Sequence, residues 1–111
     1  MILPDRWDVG LVPFPFTDKN GLKKRPALAL SPRAFNEETG VTILAMITKA
    51  ELSRRPGDYV VTDWRAAGLL IPSIVRLKIF SIENSLILKL LGRLRTRDAE
   101  NFLASAQEII P

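Results

Sequence analysis

Cysteine and histidine are both missing from the sequence. Without cysteine there is no disulfide framework, thiolate nucleophile or zinc–thiolate site, and the composition suits a reducing compartment. Without histidine, proton transfer near neutral pH falls to carboxylates, lysine and tyrosine. The carboxylates show no ligand-like clustering, so neither a metal site nor a cofactor is expected. Long apolar runs are lacking too: none reaches the roughly 18 residues of a membrane span, and Met1–Asp5 leaves no room for a signal peptide ahead of Trp7. The expectation is a soluble cytoplasmic protein, without internal repeat, low-complexity segment or linker.

What is present is a chain of 111 residues. That length predicts one domain, residues 1–111, able to bury roughly two thirds of the surface its unfolded form exposes. Sixteen basic residues stand against twelve acidic ones, for a formal charge of +4 and a pI near 9.9. Such a balance favours polyanionic partners, nucleic acid among them.

The stretch from Lys24 to Thr48 organises the rest. Arg-Pro-Ala-Leu-Ala-Leu-Ser, from Arg25, and Val-Thr-Ile-Leu-Ala-Met-Ile-Thr, ending at Thr48, read as two strands apolar on both faces. Between them Pro32 to Gly40 reads as a polar loop with turn residues. In antiparallel pairing and a symmetric register, Arg25 and Thr48 lie opposite one another on one face.

Trp7 to Pro13 alternates as a first strand, with Asp8 away from the main apolar set. A loop from Phe14 to Lys24 follows, its tip marked by Asn20-Gly21. Asp58 to Thr62 predicts a short strand, and Asp63 to Gly68 a single helical turn. From Ser73 to Phe80, Val75, Leu77 and Ile79 fall on one face, and Arg76 and Lys78 on the other, exposed one. Leu86 to Leu91 predicts a last strand after a turn at Glu83-Asn84. The period then changes to 3.6: Ala99, Phe102, Leu103, Ala106 and Ile110 share a helical face, with Thr96 as N-cap and Asp98 and Glu100 in the first turn. The whole predicts a mainly β protein, a small barrel with a C-terminal helix as lid.

In order and spacing these pieces resemble the PemK/MazF family of toxin-antitoxin ribonucleases. The matching features are Asp8 in RWDVGLV, PFPFTD, KKRPALALS, the strand ending Ile47-Thr48, AAGLLIPSIVRLKIFSIE, and LGRLRTRD before the final helix. The resemblance implies an SH3-like β-barrel, a homodimer, metal-independent cleavage of single-stranded RNA and silencing by an acidic antitoxin. It further implies catalytic roles for Arg25 and Thr48.

RNA carries its own nucleophile, the 2′-hydroxyl. The protein must help deprotonate it, stabilise charge on the phosphoryl oxygens and protonate the leaving oxygen. Arg25 suits charge stabilisation, and Thr48 can donate one more hydrogen bond. A guanidinium is a poor base in bulk water, so the general base stays unassigned. Some relatives pair an arginine with an aspartate where this chain has Arg76 and Lys78; the lysine removes that carboxylate, and both cations are expected to grip phosphate. Lys24, Lys49 and Ser73 complete the candidate RNA contacts, although Ser73 after Pro72 also reads as a turn hydroxyl, and Lys24 as a solvated loop charge. Trp7, Trp64, Phe14 and Phe16 read as core or rim packing. Two other readings of the fold are a gyrase poison and an RNA-binding barrel without activity. The first depends on a terminal Trp-Gly-Ile, whereas this chain ends Glu108-Ile109-Ile110-Pro111.

Overall fold

The computed structural model describes residues 2–15, 23–51 and 54–111. Its elements are β1 (Asp8–Phe14), β2 (Lys23–Ala29), α1 (Arg33–Thr39), β3 (Val41–Lys49), β4 (Tyr59–Val60), β5 (Ser73–Glu83), β6 (Lys89–Arg93) and α2 (Thr96–Gln107), with a 3₁₀ turn at Asn84–Leu86. The strands form one sheet in the order β4-β5-β3-β2-β1-β6, and all neighbouring pairs are antiparallel. The expected small barrel is thus a curled half-barrel, with β4 and β6 as its edges and α2 against one side. The predicted Phe14–Lys24 loop lies mostly outside the described residues.

Apolar residues on both faces of the central strands follow from a sheet covered on both sides. Leu28, Ala45, Ile47 and Val75 turn towards α2, where they meet Ala99 and Phe102. Their neighbours Ala27 and Leu44 turn the other way and pack with Val12, Ile82 and Ile87. β2 and β3 pair through Ala27 with Met46, Leu28 with Ala45 and Ala29 with Leu44. That is the symmetric register expected from the sequence.

The segment read as a loop between β2 and β3 contains α1. Pro32 holds the extended N-cap conformation, and Gly40 closes the helix at φ 78°, its N–H donating to the Asn36 carbonyl. Proline before and glycine after are ordinary helix punctuation, but seven residues are too few to display a 3.6 period. Asn36 is fully buried here, donating through Nδ2 to the carbonyls of Pro4 (2.9 Å) and Ser31 (3.1 Å). Asn84 Nδ2 in turn donates to the Asn36 carbonyl (2.7 Å), and Thr42 Oγ1 donates to Asn84 Oδ1 (2.7 Å). This connected set staples α1, the N-terminal segment and the end of β5 together.

At the opposite edge the turn after β4 crosses β6 closely. Gly68 has φ 83°, and a Cβ there would lie 2.1 Å from the Leu91 carbonyl oxygen. Gly92 faces it, 2.5 Å from the Ala67 carbonyl oxygen on the same construction, so β6 runs on through Gly92 instead of ending there. Leu86, placed in that strand by its apolar run, belongs to the 3₁₀ turn. β1 begins at Asp8, after Trp7 with φ 75°. Asp8 is buried and accepts a bond from Arg93 Nη1 at 2.9 Å.

α2 departs from its sequence reading in two places. Arg95 occupies the N-cap position without a side-chain bond, and Thr96 is the first helical residue. Ile110 lies beyond the helix end and is 52% exposed. Asp98 lies in the first turn as expected and is buried there: it accepts the Tyr59 hydroxyl and the backbone N–H groups of Thr62 and Asp63, both at 2.9 Å. Phe102 meets Trp7 and Tyr59 edge-on, with ring centroids 6.0 and 6.1 Å apart.

Burial pushes the Asp98 carboxyl up, but the bonds from Tyr59, Asp63 and Thr62 outweigh it and hold it below the ordinary value of 3.8. A depressed carboxyl contributes stability that is complete above the unfolded value and lost as pH falls through the folded one. Urea unfolding across pH should therefore show stability falling below about pH 4. Asp98→Asn should cost about 1–3 kcal/mol at neutral pH and flatten that acid limb.

Candidate active site

Two residues beyond the last recorded β2–β3 pair, the same register sets Arg25 opposite Thr48. Strand alternation then puts both on the side of Ala27 and Leu44, away from α2. On its other flank Arg25 pairs with Val12, while Thr48 pairs with Ile74 and Ile74 with Val60. Two cross-strand rows, Val12–Arg25 and Thr48–Ile74–Val60, thus each carry one polar side chain among apolar ones, and the extended register joins them.

The guanidinium of Arg25 lies over the Phe14 ring, 4.9 Å from its centroid. Its Nε is buried and, among the described residues, has no hydrogen-bond partner. Buried donors are nearly always satisfied, because an unmade bond in a dry site costs about 1–3 kcal/mol. Here the cost is borne by a cation at an open sheet end, which is an arrangement suited to an anionic ligand. Among the described residues, no hydrogen bond to the Thr48 hydroxyl is recorded.

Arg76 is in a different state. It pairs with Met46 across β3, and β4 pairs with β5 so that Asp58 continues opposite Arg76. Arg76 Nε donates to Asp58 Oδ1 at 3.1 Å and Nη2 to Oδ2 at 2.9 Å. The side chains are 11% and 2% exposed, respectively. The Arg55 N–H adds a third bond to the carboxylate at 2.8 Å. The Arg76 bond, aided by that of Arg55, holds the Asp58 carboxyl below its usual range, and Asp58 raises Arg76 in return.

The exposed face shared by Arg76 and Lys78 is accordingly corrected. The β3–β5 ladder slips between Ala45 and Met46: Met46 pairs with Arg76 but Ala45 with Ile79, which leaves Leu77 and Lys78 as extra residues in a bulge. Lys78 is exposed while Arg76 is held inside the pair with Asp58. The slip also ends the expected apolar face, for Ile79 is 44% exposed while Phe80 and Ile82 enter the second core.

The remaining candidates flank these rows. Lys24 and Lys49 are exposed and precede Arg25 and follow Thr48, so they alternate to the other side of the sheet. Lys49 lines a shallow pocket of about 500 Å³ with Ala50, Glu51, Ile71 and Pro72. Ser73 is buried and its hydroxyl donates to the Ile71 carbonyl at 2.8 Å, so it serves the turn and does not reach the Arg25 side. Asp58 was missed in the sequence; the Pro56-Gly57 turn before it was the available signal, but not its partner. Phe16 lies outside the described residues. Among the described residues no three His, Cys, Asp or Glu side chains gather as a metal-ligand set, and no helix is long and apolar enough to cross a membrane.

Residues 5–110 match the family model described as PemK-like, MazF-like toxin of type II toxin-antitoxin system. No curated protein matches the chain in sequence. Among solved structures, the MazE-MazF complex (Form-II) from Deinococcus radiodurans superposes with a TM-score of 0.76 at 17% identity, covering 99% of this chain and 97% of that one. An endoribonuclease in complex with its cognate antitoxin from Mycobacterial species gives 0.75 at 15% identity, covering 99% and 95%. The Mycobacterium tuberculosis toxin MazF-mt6 gives 0.73 at 17%, covering 91% and 93%. At such identities the structural likeness speaks for the fold.

The two arginines should answer differently to the same substitution. Arg25→Met removes an unsatisfied buried donor and should leave the unfolding free energy within about 1 kcal/mol of the wild type or above it. Arg76→Met strands a buried carboxylate and should cost about 3–5 kcal/mol. Parallel denaturant melts compare them directly.

Proposed function

The chain belongs to the family of PemK-like, MazF-like toxins of type II toxin-antitoxin systems, and we propose that it acts there as an endoribonuclease on single-stranded RNA. The observation that carries this reading is the buried Nε of Arg25, which has no hydrogen-bond partner among the described residues; continuing the β2–β3 register by two residues, from Ala27 and Met46, would bring Thr48 opposite it. A buried guanidinium donor in that position suits an anion. A phosphodiester supplies one, and its planar fork suits two phosphoryl oxygens.

In the proposed reaction the 2′-hydroxyl oxygen attacks the adjacent phosphorus and the bond to the 5′-oxygen of the next nucleotide breaks. The products are a 2′,3′-cyclic phosphate and a 5′-hydroxyl, and the proton lost at one oxygen is gained at the other. Arg25 stabilises the charge that builds on the phosphoryl oxygens, and Thr48 donates a further bond to them. No histidine is available to move the proton. The chemistry therefore rests on positioning and charge, which predicts a slow enzyme that blocks translation by cutting messages. Exposed Lys78 extends the cationic path proposed for RNA, whereas Lys24 and Lys49 at the strand ends point to the other side of the sheet and can meet only RNA that wraps its edge.

The toxin is proposed to work as a homodimer in the bacterial cytoplasm. Its silencing partner is an acidic antitoxin segment, disordered when free, that covers the same basic surface as RNA. This predicts competition: labelled RNA should be displaced by the antitoxin, and saturable binding of both at once would contradict a shared site.

The direct test is incubation with a long single-stranded RNA in excess EDTA, followed by mapping of new ends. The wild type should cut at one short sequence and leave the ends named above. Arg25→Ala should lose at least about 100-fold in rate, and Thr48→Val about tenfold. Intact RNA with folded wild-type protein would refute the reading. Lys78→Ala should weaken RNA binding and lower its salt dependence by about one counterion, with little change in single-turnover cleavage of bound RNA.

A further inference from the structure

We propose that Asp58 is a positioning residue of this site, and that Asp58 and Arg76 form one charge-neutral unit that keeps Arg76 off the RNA backbone and leaves Arg25 as the cation the scissile phosphate meets. The inference rests on the ribonuclease reading above and concerns how that site chooses between two arginines.

Both arginines belong to the same side of the sheet, in adjacent rows. Thr48 pairs with Ile74 and Met46 with Arg76, so Arg76 is a diagonal neighbour of Thr48, about 7–8 Å away between strands. Two bare guanidinium groups so placed would offer an RNA strand two competing anchor points, and with them two registers for the backbone. Only one of the two is bare. Asp58 meets Arg76 through both oxygens and is almost completely buried, while the buried Nε of Arg25 has no hydrogen-bond partner among the described residues.

The turn that delivers the carboxylate is itself held in place. Asp58 N–H donates to the Arg55 carbonyl at 3.0 Å, and the Arg55 N–H returns a bond to Asp58 Oδ2. Gly57 has φ 88°, and a Cβ there would come within 2.6 Å of Leu77 Cδ1 and 2.8 Å of Ile109 Cδ1. Leu77 belongs to the bulge in β5 and Ile109 follows α2, so β5 and the segment after α2 both close on the turn. A carboxylate supplied this way from the edge strand is fixed before any ligand arrives.

The experiment measures binding of a fully 2′-O-methylated RNA of mixed sequence, which cannot be cleaved, against KCl concentration. Wild type is compared with Asp58→Asn, Arg76→Gln and the double variant, and cleavage of unmodified RNA is followed beside it. Releasing Arg76 in Asp58→Asn should tighten binding about tenfold at low salt and steepen the salt slope by about one counterion. Its kcat should fall together with KM, because RNA then binds in unproductive registers as well. Arg76→Gln should do the reverse to binding, weakening it and flattening the slope. The double variant, neutral like the wild-type pair, should return to the wild-type slope. An Asp58→Asn protein with an unchanged slope and only a lower melting temperature would show a merely structural role and overturn the proposal. So would a double variant whose slope differs from the wild type. Should Asp58→Asn prove too unstable to measure, the double variant against the wild type still decides: an equal slope shows that Arg76 does not touch RNA in the wild type, and a flatter one overturns the proposal. A wild type that neither binds nor cuts RNA overturns the ribonuclease reading and this one with it, whereas RNA cleavage with an unchanged slope overturns only this one.

Discussion

Strand register across β2, β3, β5 and β4 is the constraint on which the site depends. A shift of one residue in any of these pairings would send every side chain of that strand to the other face. The register is secured by the cores on both sides: Leu28, Ala45, Ile47 and Val75 must face α2, while Ala27 and Leu44 must face Val12 and Ile82. Arg25 and Thr48 are carried to the same end and face by apolar neighbours that have no chemistry of their own. Packing of the interior is thereby converted into placement of two polar groups.

Buried polar contacts then hold what apolar packing leaves loose. Asp98 ties the first turn of α2 to Tyr59 and to the turn after it, and Asp58 ties the short edge strand to Arg76. Each accepts several donors, and in each the bonds outweigh the cost of burying a charge. Arg25 breaks the pattern. Its buried Nε is the one side-chain donor that the described residues leave unsatisfied in the interior. Polar groups are completed where they serve the fold, and the incomplete one stands at the sheet end proposed as the site.

Much of this was legible in the residues. The two apolar runs on either side of Pro32–Gly40 announced the central strands, and the symmetric pairing that sets Arg25 against Thr48 was the simplest register they allowed. The switch of period after Arg95 announced α2. What escaped was set by tertiary context. A seven-residue α1 shows no period of its own, and Asn36 reads as a turn residue until its buried partners are known. The bulge at Leu77 and Lys78 leaves no trace in an alternation that runs on past it, so Arg76 and Lys78 looked alike although one is buried in an ion pair. Nor could Asp58 be matched with Arg76 before β4 was known to lie beside β5. Thr96 has the composition of a cap, but Arg95 holds the position.

The staple formed by Ser31, Asn36, Thr42 and Asn84 has a practical consequence. It locks the end of the sheet where β2 leaves and β3 enters, and Thr48 stands seven residues further along β3, about 23 Å away. The outward residues of α1, among them Arg33, Glu37 and Glu38, are exposed at that locked end. A single cysteine introduced there would be unique in the chain, since the natural sequence has none. It offers an attachment point for a fluorophore or a solid support on a rigid part of the molecule, with the end that carries Arg25 and Thr48 turned away from the tether.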